Sequence, residues 1–339
     1  MLRSLLLSTA LCTGTVFGQR VLHFTETSGF DHNTRSASFQ MFSSIGDELM
    51  LDVVDAPVSG PFSDFVALSD HDVIIFSNTS GNAILDAEQR TNFETWVANG
   101  GHVLGIHAAS DTYRHSTANG NNSGTWDYFA ELIGASVQEG PNHVSGTPAY
   151  ELSHLGLHPS TTNLPDPWLK NEEYYYWEGG YFGPENNAVL QVEETVGPNG
   201  LVNSYDAERP MSWYRVLPNG SRVFYTALGH AQSNYTSDEL FRTHLRDALL
   251  WLLDGTTGHA APASGNALNV FPNPASRTLT ITTELDRNVK LQMIDATGRV
   301  VLSDRMAGPT HTMDLDGLSN GIYFLRIGDG PMTCVRVTH

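Results

Sequence analysis

Cysteine is nearly absent from this chain: Cys12 and Cys334 are the two in 339 residues. Cys12 lies in an N-terminal stretch with the marks of a cleaved export signal. Cys334 is then left without a partner for an internal disulfide, although an exported protein would be permitted one. Positive charge is scarce as well, with 18 Lys+Arg against 37 Asp+Glu and a formal net charge of -19. So acidic a surface repels phosphate backbones and anionic membranes, which argues against nucleic acid as a partner. A neutral ligand such as a sugar, or a cation, stays compatible. Beyond the N-terminus no apolar run approaches the roughly 20 residues that a membrane-spanning helix needs, so no transmembrane segment is expected. The motifs H-E-x-x-H, G-x-S-x-G and C-x-x-C are missing, and no G-x-G-x-x-G follows a strand. A nucleotide cofactor and the commonest metal and nucleophile signatures are therefore unsupported.

What is present divides the chain in four. Residues 1–18 read as a signal peptide: Arg3 supplies the positive start, residues 5–17 a short apolar run, and Val16-Phe17-Gly18 precede a cut near Gln19. From residue 20 to about 254, strand-like and helix-like segments alternate. Strands are expected at 21–25, 50–54, 73–77 and 102–108, and helices at 34–49, at 85–99 and from about 237 to 254. Asp86 and Gln89 fit a capping box, and Gly100-Gly101 a helix stop. Phe241, Leu245, Ala248, Leu249 and Leu252 form an apolar stripe on the last helix. Leu217-Pro218-Asn219-Gly220 reads as a hairpin turn between strands at 211–215 and 222–226. Such alternation predicts a flavodoxin-like α/β domain, a parallel sheet with helices on both faces. In that architecture ligands bind beyond the carboxyl ends of the strands, where the loops carry His32, Asn78 and His107. Residues 255–265 have linker composition, and 266–339 show short, regularly spaced strands without helix pattern, as in a small all-β sandwich.

The loops of the first domain are rich in His and carboxylates, among them His32, His107, Asp111, His143, His158, Glu172, Glu173 and His230. A lone histidine is most often structural. Several gathered by one crevice would bind a metal or move protons. His154 and His158 are four apart but sit among Gly and Pro rather than on a helix, and carry little weight. Trp126, Tyr174, Tyr175, Tyr176, Trp177, Tyr181 and Trp213 admit two readings, sheet packing or a flat platform for a sugar ring.

Six motifs taken together carry a resemblance. They are Gly29-Phe30-Asp31-His32, the run Gly105-Ile106-His107-Ala108-Ala109-Ser110-Asp111, His158-Pro159, Asn171-Glu172-Glu173-Tyr174, Pro210-Met211-Ser212-Trp213 and Thr226-Ala227-Leu228-Gly229-His230. In order and spacing residues 20 to about 254 resemble the trehalose-utilisation (ThuA-like) family, whose fold is related to class I glutamine amidotransferases. Those enzymes place a nucleophilic Cys at a G-x-C-x-G elbow; here the aligned triplet is Gly105-Ile106-His107, which excludes thiol-based amidotransfer. The resemblance implies carbohydrate-linked work, including keto-sugar processing. Its pocket would hold His32, His107, Asp111, Glu173 and His230 as catalytic residues, with His107 as general base or ligand and Asp111 or Glu173 as its acid partner. Trp126, Tyr174 and Trp213 would be substrate-binding. A divalent metal would fall on His107 and His230. The alternative is a non-catalytic carbohydrate-binding protein on the same scaffold. Asp31, where the family often has a basic or small residue, and the polar loop 119–124 leave the substrate's identity open.

The tail has its own likeness. Asn269-Val270-Phe271-Pro272-Asn273-Pro274-Ala275, Ile294-Asp295-Ala296-Thr297-Gly298-Arg299, Leu315-Asp316-Gly317-Leu318 and Gly321-Ile322-Tyr323-Phe324-Leu325-Arg326 together resemble the C-terminal sorting domains of type IX secretion in the Bacteroidetes. That implies recognition by the type IX machinery, passage through the outer membrane, and release or attachment at the cell surface.

Overall fold

The computed structural model describes residues 18–114, 125–254, 268–272, 275–283, 289–295, 299–328 and 332–339. The expected signal peptide, the 119–124 loop and the 255–265 linker lie outside the described residues.

The first domain opens with strand β1 (Arg20–Phe24), helix α1 (Arg35–Leu49) and β2 (Asp52–Ala56). A short helix α2 (Phe65–Leu68), β3 (Val73–Ser77), α3 (Ala87–Ala98) and β4 (His102–Ile106) follow. Every residue of β3 and β4 is buried, as expected of parallel strands covered on both faces. The capping box of α3 forms as expected: Asp86 Oδ1 accepts the Gln89 amide and Gln89 Oε1 accepts the Asp86 amide, each at 2.9 Å. Gln89 also donates to Ser59 O and Ser63 Oγ, so the cap fastens the preceding loop as well.

The middle of the domain contributes α4 (Asp127–Ile133), β5 (Ala135–Val137), β6 (Ala149–His154), α5 (Pro159–Thr162), β7 (Trp168–Asn171), β8 (Trp177–Phe182) and β9 (Asn187–Val192). It closes with β10 (Arg209–Val216), β11 (Arg222–Thr226), α6 (Gln232–Thr236) and α7 (Glu239–Asp254). The nine-stranded sheet has the order β2-β1-β3-β4-β11-β10-β9-β6-β7. Strands β2, β1, β3, β4 and β11 are parallel, and the pairings from β11 through β7 are antiparallel. The expectation of a parallel sheet thus holds for one half only, because hairpin-like connections build the other. The predicted hairpin closes with Leu217 N on Ser221 O at 2.8 Å and Gly220 at φ +88°. The predicted stripe of α7 is wholly buried.

The tail forms a sandwich of two sheets, β12-β13-β16 and β15-β14-β17-β18. Strands β13 (Thr278–Thr283), β14 (Val289–Asp295), β15 (Val300–Met306), β17 (Gly321–Ile327) and β18 (Met332–Val337) are short and turn-separated, as expected of this part of the chain. Strands β12 (Leu268–Phe271) and β16 (Thr310–Asp314) flank β13 in the first of these sheets. The tail has its own apolar core, which shares no residue with the core of the first domain. No described helix is long and apolar enough to cross a membrane.

Candidate functional site

The carboxyl ends of three parallel strands of the sheet, β1, β4 and β11, deliver histidines to one place. His32 lies in the loop after β1, His107 directly after β4, and His230 four residues after Thr226 ends β11 and just past Gly229. His107 occupies the expected elbow: its φ is +47°, a left-handed value sparsely populated outside glycine and maintained here by the surrounding contacts. Gly105 is needed two residues before it, since a Cβ there would stand 2.9 Å from Ile133 Cδ1 and 3.0 Å from Tyr225 Cδ2. Asn78, at the end of β3 with φ +53°, braces the ends. Its Nδ2 lies 2.9 Å from Thr34 Oγ1, 3.0 Å from Gly229 O and 2.9 Å from Tyr235 OH.

Glu173 arrives from the other half of the sheet, two residues past β7. From there the chain runs against segment 138–144, where Val144 N donates to Tyr174 O and Tyr176 N to Asn142 O. Arg209, buried under the Tyr176 ring, donates from Nε to Tyr175 O at 2.8 Å and fixes the same stretch.

Four donor atoms of His32, His107, Glu173 and His230 lie within 4.8 Å of one another. His107 Nε2 is 3.2 Å from His32 Nε2 and 3.3 Å from Glu173 Oε2. His230 Nδ1 is 3.2 Å, and His32 Nε2 3.9 Å, from the same carboxylate oxygen. A tetrahedral metal with bonds of 2.0–2.1 Å separates its ligands by about 3.3 Å, so three of these distances are already those of a coordination tetrahedron. The tautomer of His107 agrees. Its Nδ1 lies 2.7 Å from Ala227 O, which can only accept, so Nδ1 carries the proton and Nε2 turns a lone pair inward. His230 Nδ1 is buried and has hydrogen-bond geometry to no described residue. A carboxylate ringed by imidazole nitrogens, one of them a lone pair of fixed direction, is a donor set suited to a divalent transition metal.

The electrostatics point the same way. Burial pushes the Glu173 carboxyl up, but His107, His230 and His32 around it outweigh burial and hold it far below the usual carboxylate range. Burial lowers His32, while the Glu173 carboxylate beside His230 raises that ring. Tyr175 stacks on His107 with centroids 4.4 Å apart, and its hydroxyl sits 2.9 Å from His107 Nε2. Burial lifts that phenol well above its ordinary value, so it stays a proton donor. At the mouth, His143 places Nε2 3.2 Å from the other carboxylate oxygen of Glu173.

Of the five expected catalytic residues the structure gathers four. Asp111 is not one of the four donors: it pairs with Arg114 at 2.5 Å, and burial raises its carboxyl, with His107 and Glu173 near enough to act on its charge. The expected aromatic platform is not found at Trp126, Tyr174 or Trp213. Trp213 is fully buried with its indole donating to Ile133 O, and Tyr174 is fully buried with its hydroxyl on Lys170 O. Trp126 is packed between Tyr128, Phe129 and Tyr113. Their ring faces are spent on the core, the outcome that strand propensity favours. His158 is buried too, stacked on Tyr214 and Phe224 and accepting the Ser160 amide at the start of α5. One aromatic passed over as part of a motif does face solvent at the site. Phe30 is 67% exposed, its ring 4.9 Å from that of His32. Only its place two residues before a clustered histidine could have drawn notice to it.

Known proteins resemble the chain in family and in fold. A family model described as "Trehalose utilisation" (ThuA) matches residues 20–252, and one described as "Secretion system C-terminal sorting domain" matches residues 269–336. No curated protein matches the chain. Among solved structures, a ThuA-like protein from Bacteroides uniformis is similar at 20% identity and a TM-score of 0.53, over 72% of this chain and 95% of that one. One from Parabacteroides merdae matches at 18% identity and 0.49, over 70% and 91%. The first supports the fold. The sorting domain marks the chain for the secretion machinery, and so for the cell surface or the medium.

Proposed function

We propose, for a chain that belongs to the trehalose-utilisation (ThuA) family, that its α/β domain is an extracellular metal-dependent hydrolase or lyase acting on a carbohydrate. The observation that carries this reading is the convergence of His32, His107, Glu173 and His230 with donor atoms within 4.8 Å. A divalent cation held there would supply Lewis-acid polarisation of a sugar oxygen. Around it the chain's own groups have separate tasks. The Ala227 carbonyl fixes the His107 tautomer, and the Tyr175 hydroxyl holds a proton 2.9 Å from His107 Nε2. His143 stands within reach of Glu173 to exchange a proton with a ligand oxygen at the mouth. Phe30 offers the apolar face that suits a sugar ring. The carbohydrate is inferred from the family's description and from this mixture of one exposed aromatic and several proton carriers.

One observation favours a second reading. Four protein donors are the number that closes a structural metal site, whereas catalytic zinc sites keep a position open. A sugar-binding protein with a structural metal would have that form. Metal analysis of the purified chain, then a reducing-sugar screen with trehalose and other oligosaccharides before and after chelation, separates the two. Turnover lost on chelation and regained with zinc or manganese supports the enzyme. Stoichiometric metal with saturable sugar binding and no turnover supports the binder. A chain that neither carries nor takes up metal overturns both.

A further inference from the structure

Glu172, next to the ligand Glu173, is 1% exposed, and its carboxylate touches the main chain of two members of the donor set at once. Oε1 accepts the amide of Glu173 at 3.0 Å and the amide of His230 at 3.1 Å. Oε2 accepts the amide of Gly229 and Nδ2 of Asn234, both at 2.8 Å. Its charge is balanced by Lys170 Nζ at 3.7 Å, itself buried and hydrogen-bonded to Asp238 Oδ2 at 2.6 Å. Glu173 follows β7 and His230 follows β11, strands separated in the sheet by β10, β9 and β6. The two strands do not pair with each other, so contacts beyond the sheet bring these chain segments together.

We infer that Glu172 is the positioning residue of the metal site: one buried carboxylate clamps the segments carrying Glu173 and His230 and so fixes the distance between these two ligands. The turn it grips has no slack. Gly229 is at φ +116°, and a Cβ there would stand 2.7 Å from Tyr235 OH and 2.9 Å from Ile106 Cγ2. All four groups on Glu172 are N–H donors, so the clamp needs an acceptor at both oxygens. A glutamine would turn an NH2 toward one pair of donors and release either the Gly229–Asn234 side or the Glu173–His230 side. Partners that orient metal ligands are typically worth about 10- to 100-fold in metal affinity.

This inference rests on the metal reading, and the test keeps the two apart. Zinc affinity is measured by chelator competition, and the visible spectrum of the cobalt-loaded protein is recorded, for the full chain and for Glu172→Gln. Phe93→Leu serves as a control for stability loss alone, because Phe93 packs among Phe62, Phe76 and Trp96 in the core. The expected result is about 10- to 100-fold weaker zinc binding and an altered cobalt spectrum in Glu172→Gln, with both unchanged in Phe93→Leu. Should Glu172→Gln fail to fold, Glu172→Asp, whose carboxylate is withdrawn by one methylene, is read in the same way. Zinc affinity and cobalt spectrum equal to those of the unaltered chain would overturn the clamp while leaving the metal site intact. Absence of zinc binding by the unaltered chain would overturn the metal reading and the clamp with it.

Discussion

His107 and His32 are 75 residues apart in sequence, yet their Nε2 atoms meet at 3.2 Å with the rings nearly perpendicular. Because Nδ1 of His107 is committed to the Ala227 carbonyl, two inward-facing nitrogens cannot share that distance without a proton or a cation between them. Replacing His107 by Ala is therefore expected to weaken zinc binding by at least about 100-fold, beyond what loss of an orienting partner costs. Metal analysis after gel filtration checks this, and undiminished zinc in a folded His107→Ala protein would remove His107 from the site.

A change at Phe30 tests the proposed sugar contact apart from the proposed metal site. It is exposed and should add little to stability, within about 0.5 kcal/mol on replacement by Ala. Phe30→Ala is expected to keep its metal content and melting temperature, yet to bind whichever oligosaccharide responds in the screen about tenfold more weakly, with Phe30→Trp restoring binding. Equal sugar affinity in all three proteins would mean that the ring platform lies elsewhere.

Acid should unfold the first domain early. His102, His158 and His244 are buried, and desolvation lowers each to about 4, with His23, His32 and His71 lowered for the same reason. Unfolded, these rings take up protons near pH 6.5; folded, His102, His158 and His244 resist doing so until near 4, and the other three until below their ordinary value. The unfolded state thus binds more protons between those values, and stability falls as pH drops through that window. The three rings together give a slope of up to about 4 kcal/mol per pH unit. In the metal-free protein His230, raised by Glu173, works in the opposite direction, contributing stability at low pH that is lost as pH rises through its folded value. One ring against six leaves the acid loss dominant. Urea midpoints measured from pH 7 to pH 4 that stay level would contradict this account.

The two apolar cores share no residue, so the tail should be dispensable for folding. Residues 19–258 expressed alone are expected to melt within about 5 °C of the full chain, a shift of order 1 kcal/mol for a domain this size. The same truncation should abolish passage through the secretion machinery. An insoluble or far less stable fragment would make the tail a structural partner.

Local chemistry made much of the architecture legible. The capping box of Asp86 and Gln89, the stripe of α7, the turn at Leu217–Gly220 and the apolar run of β3 act over a few residues, where side-chain spacing alone decides the outcome. The histidines at strand ends could be named as candidates, because a parallel sheet sends its carboxyl ends to one side. Tertiary structure decided which candidates meet. Asp111, four residues from His107, turned to Arg114, while Glu173 crossed from the antiparallel half of the sheet to join the three histidines. It also decided that Trp213 and Tyr174 are core and Phe30 is surface, since strand propensity is alike for a buried ring and an exposed one. Glu172 and Glu173 are adjacent and chemically identical. Only burial and the direction each carboxylate takes turn one toward main-chain amides and the other toward the histidines, and those are properties of packing rather than of sequence.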